Sequence, residues 1–505
     1  MSDALARLRR LGEPFMRELS RAHWMVGAGY ASEIDIRGIH ARHAAALSDD
    51  SLAVAREAYR DSAPGTEEHR SARSLLDWQL EAQASRITAE LEERELAWEA
   101  SAVIVLDDGR RIPYQRAAIE ISNATDRAER LKLDRARSAL VARELAPIRR
   151  ERFERERDAV ASIDVAPSYI DAIEQVGALP LRALATQCEA FLRDTADMSR
   201  ELLAHAVKRD LGITPEEAHR SDWLALARNA EYDAAFPSSD LEPAVRRQLT
   251  EMGLDPEAGG RIVYDTAERE GKRSRAFCAP VRIPDEVYLV LRPHGGAADW
   301  QTLLHEAGHA LHFANVNTSL PFEHRWLGDN SVTEGYAMLF DHRLQDAGWL
   351  RRYSGLRGAE LARFLRGAGF GELRFIRRYC AKLLFELDLH GGEVPAREIP
   401  SRYAERLSEA TGFRYSPDDA YADVDPRFYV GRYLQAWQLQ AVLASELTER
   451  FNEDWWRNPS AGPWLRESLF FEGQRETAGE LAHRVASREL SFAPLITAIE
   501  RLVDS

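Results

Sequence analysis

The sequence predicts a mainly α-helical protein with a small β-sheet just before a key helix. Apolar residues recur three and four positions apart through residues 1–100, which is the spacing of one face of an α-helix. The segment 126–161 alternates Arg and Glu, which is typical of a long solvated helix with i, i+4 ion pairs. Short runs rich in β-branched and aromatic residues predict strands between residues 261 and 291.

A small hairpin is predicted within the N-terminal helical part. The apolar run 102–106 is followed by the turn residues DDG at 107–109 and then by the run 111–114. This order fits two short strands that are joined by a tight turn. Helices resume after it.

Glycine and proline clusters divide the rest of the chain into elements. Helices are predicted over residues 167–254, and the strand-like runs RIVYD, AFCAPVRI and EVYLVL follow. Helices return after the glycine pair 295–296 and continue almost to the C-terminus. Breaks in this last part are expected near residues 391–392, Pro417 and Pro459.

Composition and charge narrow the class of protein. The formal net charge of -15 disfavours nucleic acid, because such binding depends on Lys and Arg that neutralise phosphates. No apolar run is long enough for a membrane span, and the N-terminus shows no secretory signal, so a soluble cytoplasmic protein is expected. Cys188, Cys278 and Cys380 lie far apart and are expected to be buried thiols rather than a disulfide framework.

Two histidines with an acid between them lie in a helix-like stretch. Residues 305–309 read HEAGH, and Asp299 is the expected N-cap. Residues four apart share one helix face, so His305 and His309 would converge on one tetrahedral zinc while Glu306 projects beside it. Glu306 would then accept the proton of a metal-activated water as that water attacks a carbonyl. Two partly exposed histidines on a polar helix face are the alternative.

A catalytic zinc site needs a third protein ligand and an open position. His312 lies roughly 10 Å from His305 along the helix axis, too far to share the metal. Asn315 stands where the metzincin pattern requires His, which excludes that class. Glu323 lies in an apparent loop.

Glu334 is the preferred third ligand. It lies in the helix-like stretch SVTEGYAMLFDHRL, which Ser331 or Thr333 is expected to open. A second rigid helix would then present its carboxylate to the metal.

The residues around the histidine pair resemble a known group of metallopeptidases. The run GKRSRAFC at 271–278, the strand-like run 287–291, the glycine pair 295–296, Asp299 and then LLHEAGHALH follow one another in sequence. Their order and spacing resemble the thimet oligopeptidase and oligoendopeptidase F family of zinc metallopeptidases. Weaker similarity extends over residues 169–481.

This resemblance implies a gluzincin site, in which HExxH is followed after a couple of dozen residues by a Glu ligand. Glu334 occupies that place, and Asp341 stands at the position of a further acid. The resemblance also implies that peptide substrates lie along the strand near Ala276 and Phe277. The implied architecture is a two-lobed helical fold with a small sheet beside a deep channel, which admits short peptides and excludes folded proteins.

A second stretch extends the resemblance. Residues 425–434, DPRFYVGRYL, resemble the tyrosine-rich helix of these peptidases, and the Arg-Tyr pair also resembles angiotensin-converting enzyme and its relatives. There a tyrosine phenol hydrogen-bonds the tetrahedral oxyanion, which implies this role for Tyr433. Tyr429, one turn earlier, is the competing candidate. Arg432 is expected to contact substrate, or to position the helix or a nearby carboxylate. An aromatic stripe in a core is the alternative.

Three departures from the family bear on substrate preference. No His occurs in residues 420–426, Arg275 stands where the family has Gly, and Gly335-Tyr336 follow Glu334 in place of a Pro-Ser-Gln-like run.

The expected activity is therefore that of a zinc-dependent endopeptidase that hydrolyses short peptides. The alternatives are a zinc hydrolase of the same fold that acts on a modified-peptide or natural-product amide, and a non-catalytic peptide-binding protein. A helical region with the hairpin is expected over residues 1–165, and the catalytic region over residues 166–505, as one interlocked unit.

Overall fold

The chain folds into helices and two small β-sheets over residues 2–273 and 275–504, which the computed structural model describes. The predicted mainly α-helical class is confirmed. The helices of the first half are α1 (Ser2–Gly27), α2 (Ile36–Arg42), α3 (Asp49–Asp61), α4 (Glu67–Ser101), α5 (Ala117–Asn123), α6 (Arg127–Leu140), α7 (Ala146–Ser162), α8 (Tyr169–Gln175), α9 (Leu181–Asp194), α10 (Ala196–Leu211), α11 (Arg220–Ala227) and α12 (Ser238–Glu251).

The helices of the second half include those that carry the predicted site. They are α13 (Ala297–Ala314), α14 (Phe322–Trp326), α15 (Asn330–Asp341), α16 (Ala347–Tyr353), α17 (Gly358–Gly391), α18 (Ile399–Thr411), α19 (Tyr429–Phe451), α20 (Ala461–Ser468), α21 (Ala478–Ala486) and α22 (Ala493–Val503). Among the described residues, no helix has both the length and the apolar character that crossing a membrane requires.

Both predicted sheets are confirmed. The hairpin consists of β1 (Val103–Val105) and β2 (Arg111–Pro113), which pair antiparallel. The second sheet consists of β3 (Ile262–Asp265), β4 (Phe277–Arg282) and β5 (Glu286–Val290), in the order β3-β5-β4. The strand β5 is parallel to β3 and antiparallel to β4. The strand β4 therefore lies at an edge of this sheet, and α13 packs against it.

The Arg/Glu-rich segment 126–161 is helical, as predicted, but it is not solvated on every side. The helices α6 and α7 are joined by a short π-helix, Val141–Leu145. Exposed i, i+4 pairs such as Glu151 with Arg155 are present. Arg149 and Arg152, however, bind the buried Glu95 of α4. One face of α7 therefore packs against α4, and ion pairs tie the two helices together.

The helices α13 and α15 lie within a large buried apolar cluster. Trp300, Leu304 and Leu311 of α13 and Tyr336 and Phe340 of α15 belong to it, and all five are almost fully buried. The predicted zinc helix is thus held by the core.

Two glycines let the site-bearing helices approach one another closely. A Cβ atom on Gly308 would lie 2.6 Å from Cα of Ala337, which links α13 to α15. A Cβ atom on Gly335 would lie 2.8 Å from Cδ2 of Leu439, which links α15 to α19. Larger residues would force these helices apart, so the glycines set the distances between the side chains that they present.

The N-terminal helix packs against the second sheet and α14. Arg9 donates to Glu323, whose carboxylate is fully buried, and Arg325 pairs with Glu13 at 2.8 Å. Glu323 lies in the short helix α14 rather than in the loop that was expected. Ion pairs therefore connect the predicted regions 1–165 and 166–505.

Candidate metal centre

The helix α13 carries three of the predicted site residues, and its N-terminus differs from the prediction. The helix begins at Ala297 after Gly296, two residues before the expected cap Asp299. The carboxylate of Asp299 instead accepts hydrogen bonds from the backbone N–H groups of His294 and Gly295. Asp299 is therefore not the N-cap, but it orders the turn that leads into the helix.

The helix α15 begins slightly earlier than predicted. Asp329 is its N-cap, and the Asp329 carboxylate accepts a hydrogen bond from the backbone N–H of Ser331. The predicted caps, Ser331 and Thr333, both lie inside the helix. Glu334 is therefore in the second turn of a capped helix, which faces α13.

Three side-chain atoms form a compact triangle between α13 and α15. The Nε2 atoms of His305 and His309 lie 3.2 Å apart, and Oε2 of Glu334 lies 3.2 Å from the first and 3.5 Å from the second. Tetrahedral zinc with bonds of roughly 2.0–2.2 Å separates its ligand atoms by roughly 3.3–3.6 Å. The triangle thus has the size of one face of a zinc tetrahedron.

The oxygen of Glu334 in this triangle has no hydrogen-bond partner among the described residues. Oε2 is buried, and the whole residue is 4% exposed. A buried carboxylate oxygen without a donor is unfavourable by about 1–3 kcal/mol or more. A cation between the three atoms would remove this penalty, so the residues present fit a divalent metal.

The opposite edges of both imidazoles are held by hydrogen bonds. Nδ1 of His305 lies 2.8 Å from Oδ2 of Asp341, and Nδ1 of His309 lies 2.9 Å from the hydroxyl of Thr333. An ionised carboxylate only accepts, so His305 donates from Nδ1 and its Nε2 is free to act as a ligand. Asp341 thus accepts a hydrogen bond from the ring nitrogen of His305 that faces away from the triangle, as carboxylates commonly do for metal-binding histidines.

The electrostatics of the triangle also favour a cation. Burial alone would lower the pKa of His305, but the hydrogen bond to Asp341 and the neighbouring Glu334 carboxylate outweigh it and raise that pKa to about 10. The pKa of Glu334 is well below its usual range, because the two histidines outweigh the effect of burial. The site therefore holds positive charge, which either a proton or a metal ion can supply.

Glu306 lies between this triangle and the edge strand β4. Its Oε2 accepts a 2.9 Å hydrogen bond from the backbone N–H of Cys278. The carboxylate is half-buried, so it is oriented without being sealed from solvent. Burial, followed by the Glu306 charge, raises the pKa of the Cys278 thiol well above its ordinary value, so that thiol is protonated at neutral pH.

Tyr429 and Tyr433 lie next to Glu334 but make different contacts. The phenol of Tyr429 donates a 2.8 Å hydrogen bond to Oε1 of Glu334. The ring of Tyr433 packs edge-on against Tyr429 and Tyr379, and no hydrogen bond holds its hydroxyl among the described residues. Burial and the Glu334 carboxylate raise the pKa of both phenols, which keeps both of them neutral donors.

Arg432 lies inside the protein. Its guanidinium donates to Oδ1 of Asp329 at 2.8 Å and to the backbone carbonyl of Gly177. Asp329 is also the N-cap of α15. The structure therefore places Arg432 as a link between α19 and the start of α15, in keeping with the expectation that it positions the helix or a nearby carboxylate.

The predicted substrate contacts near β4 are packed inward. Ala276 is buried in the same cluster as α13, and the half-buried ring of Phe277 packs against Gly27 of α1. Ser274, in the run that carried the resemblance, lies outside the described residues. Neither side chain lies among the triangle residues.

A series of hydrogen bonds lies behind His305 and was not predicted from the sequence. Oδ1 of Asp341 lies 2.5 Å from Nδ1 of His342, and Nε2 of His342 lies 3.0 Å from Oε1 of Glu372. Gln345 donates to the other oxygen of Glu372 at 3.0 Å. Only the adjacency of Asp341 and His342 was visible in the sequence, since Glu372 comes from α17.

His312 lies apart from the triangle, as expected. Its ring is fully buried, and its Nδ1 lies 3.0 Å from the Thr333 hydroxyl that also contacts His309. Burial lowers the pKa of His312 to about 3, so the ring is neutral. His312 therefore fixes Thr333 behind His309 and binds no metal with it.

Comparisons with known proteins bear on the fold. No protein-family model and no curated protein matches the chain. A solved structure described as "BsuCP Crystal Structure" is similar to it, with a TM-score of 0.56 and 14% sequence identity. The match covers 100% of this chain and 98% of that chain. The similarity thus spans the whole of this helical architecture, and at this identity it establishes a shared fold.

Proposed function

We propose that this protein is a zinc-dependent peptidase whose metal is held by His305, His309 and Glu334. The observation that carries the proposal is the buried Oε2 of Glu334, which accepts no hydrogen bond among the described residues and lies 3.2 and 3.5 Å from the two imidazole nitrogens. Two imidazoles and one carboxylate are one of the ligand sets found in catalytic zinc sites, which leave a fourth position for water or substrate. Bound zinc would polarise the scissile carbonyl and acidify a water molecule.

Glu306 is the general base in this proposal. It follows His305 directly on α13, and the Cys278 N–H holds its carboxylate in place. Glu306 takes the proton of the attacking water and passes it to the leaving amine. One hydrogen bond from the strand leaves the carboxylate free to accept that proton at its other oxygen.

The two tyrosines have separate tasks. The Tyr429 hydroxyl is committed to Oε1 of Glu334, so its task is to orient that carboxylate. The Tyr433 hydroxyl has no such partner among the described residues and lies on the same face one turn later. Tyr433 is therefore the donor that stabilises the negative oxygen as the carbonyl is attacked.

Short peptides are the proposed substrates, in a channel between two lobes. The edge strand β4 lies beside Glu306, and an extended peptide can add to a strand of this kind through backbone hydrogen bonds. The enzyme is then an oligopeptidase, which cuts short peptides and spares folded proteins. The two-lobed shape and the channel are part of the proposal.

Metal analysis and a peptide digest test the proposal together. Purified protein should contain about one zinc ion per chain and should cut a synthetic peptide library read by mass spectrometry. Glu306→Gln should keep the zinc and lose turnover by several orders of magnitude, whereas His309→Ala should lose both.

The exposed His294, in the loop before α13, offers a matched control. His294→Ala should retain both zinc and activity. Protein that carries no zinc after gentle purification and binds none on titration would contradict the proposal, and so would full activity in Glu306→Gln.

A further inference from the structure

A buried polar chain extends from the candidate ligand His305 into the core. It runs through Asp341 and His342 to Glu372 of α17 and ends at Gln345, with donor–acceptor distances of 2.8, 2.5, 3.0 and 3.0 Å. Asp341, His342 and Glu372 are each at most 9% exposed. Burying several charged groups is unfavourable unless each one has a hydrogen-bonded partner. Each group in this series is hydrogen-bonded to the next.

The two neighbours of His342 determine which groups in this hydrogen-bonded series donate and which accept. Both neighbours of His342 are carboxylates, which accept hydrogen bonds, so His342 donates from both ring nitrogens and carries a positive charge. Burial lowers the pKa of His342, but Glu372 and Asp341 outweigh it and raise that pKa to about 10. The two carboxylates and one imidazolium together carry one net negative charge, which lies behind His305.

We propose that His342 and Glu372 are positioning residues that hold Asp341 against His305 and thereby set the affinity of the site for zinc. This inference rests on the proposed function. His342 fixes the direction of Asp341 by occupying Oδ1, which leaves Oδ2 aimed at Nδ1 of His305. Glu372 keeps His342 charged and in register, since it is the only other partner of that ring among the described residues.

The effect reaches the metal through the lone pair of His305. An ionised carboxylate at Nδ1 makes the opposite nitrogen a stronger ligand and stops the ring from rotating. If Glu372 loses its charge, the protonated form of His342 loses its largest electrostatic stabilisation. The neutral His342 ring would then donate to only one carboxylate, and Asp341 would be free to turn.

Zinc affinity of the metal-free protein, measured by competition with a chromogenic chelator, tests this inference. Glu372→Gln keeps the size of the side chain and an acceptor for His342, yet removes the charge. It should weaken zinc binding by about tenfold or more, which is the usual effect of losing such support. Glu360→Gln, an exposed acid on the same helix, is the matched control and should bind zinc like wild type.

A merely structural role would give a different result. The melting temperature of the zinc-free protein would then fall in Glu372→Gln, while the zinc affinity of the folded variant stayed within about threefold of wild type, below the tenfold expected from the lost support. That outcome would overturn the inference. It would leave the proposed function intact, because wild type and Glu360→Gln would still bind zinc.

Gln345→Met is a milder second variant, in case Glu372→Gln does not fold. Gln345 lies at the half-buried outer end of the chain, and its loss frees one oxygen of Glu372. Zinc affinity should fall severalfold, and an unchanged affinity would also overturn the inference. A wild-type protein that binds no zinc would instead contradict the proposed function itself.

Discussion

The phenol of Tyr429 donates a 2.8 Å hydrogen bond to Oε1 of Glu334 and leaves Oε2 as the oxygen that faces the two histidines. A carboxylate has two equivalent oxygens, so something must decide which one faces a metal. Tyr429 makes this choice from a third helix, α19. The geometry of the candidate site thus depends on three helices rather than on the HExxH helix alone.

The first prediction concerns this hydrogen bond. Tyr429→Phe should weaken zinc binding by about tenfold, because Glu334 would no longer be held in one orientation. Turnover at saturating zinc should change much less. Zinc affinity by chelator competition and kcat on a short peptide measure the two effects, and a variant with normal zinc affinity and a collapsed kcat would assign the oxyanion role to Tyr429 instead.

The second prediction concerns the neighbouring phenol. Tyr433→Phe should lower kcat roughly a hundredfold, since a donor to the developing negative charge contributes on the order of 3 kcal/mol in a water-poor site. KM and zinc affinity should stay near wild type. If kcat is unchanged, the Tyr433 ring only packs between Tyr379 and Tyr429, and the oxyanion has another donor.

The proximity of His305, His309 and Glu334 could be predicted because each part of this arrangement depends on local geometry. His305 and His309 lie four residues apart on one helix, a spacing that fixes their common face. Glu334 could be chosen because the sequence predicts a second helix at that point in the chain. Both strand-rich segments were also recognisable, because their β-branched runs differ from the helices around them.

Long-range partners could not be predicted in this way. Glu372 meets His342 only because α17 packs beside the end of α15, and no spacing in the sequence encodes that contact. Arg432 was expected to contact substrate, or to position the helix or a nearby carboxylate, but the sequence did not show that this carboxylate would be Asp329. The predicted N-caps were wrong because the side chains of Asp299 and Thr333 hydrogen-bond to groups outside the first turns of their helices.

The third prediction tests the close approach of α13 and α15. Gly308→Ala places a Cβ atom 2.6 Å from Cα of Ala337, and backbone cannot move aside as a flexible side chain can. The variant should lose about 1–3 kcal/mol of unfolding free energy and bind zinc more weakly, because Glu334 moves away from the histidines. Urea unfolding and chelator competition measure the two effects.

Gly367→Ala is the matched control for that variant. Gly367 lies inside α17, and a Cβ atom there meets no atom within 4 Å. Replacing a glycine inside a helix by alanine at an open position should stabilise the protein by up to about 1 kcal/mol. Equal stability and zinc affinity in Gly308→Ala and wild type would mean that the two helices can separate without disturbing the site.

The last prediction concerns acid stability and a histidine away from the metal centre. His390, near the end of α17, is buried among the rings of Phe153, Tyr169 and Phe428, and its Nδ1 has no partner among the described residues. Burial, with a smaller contribution from Arg157, lowers the pKa of His390 from 6.5 to about 3. The folded protein therefore keeps this ring neutral at pH values where the unfolded chain protonates it.

The sign of the pH effect follows from this difference. Above pH 6.5 neither state binds the proton, so the contribution of His390 to stability is fully present there. As the pH falls from 6.5 towards 3, the unfolded state gains a proton that the folded state does not bind, and the unfolding free energy falls by about 1.4 kcal/mol per pH unit.

The variant His390→Leu tests this prediction, because it removes the titrating group and keeps an apolar side chain of moderate size. The difference in unfolding free energy between His390→Leu and wild type should therefore shift in favour of the variant by about 1.2 kcal/mol between pH 6 and pH 5, measured by urea unfolding. Parallel profiles for wild type and His390→Leu would show that the ring becomes protonated inside the folded protein, and that the aromatic cage around it admits the charge.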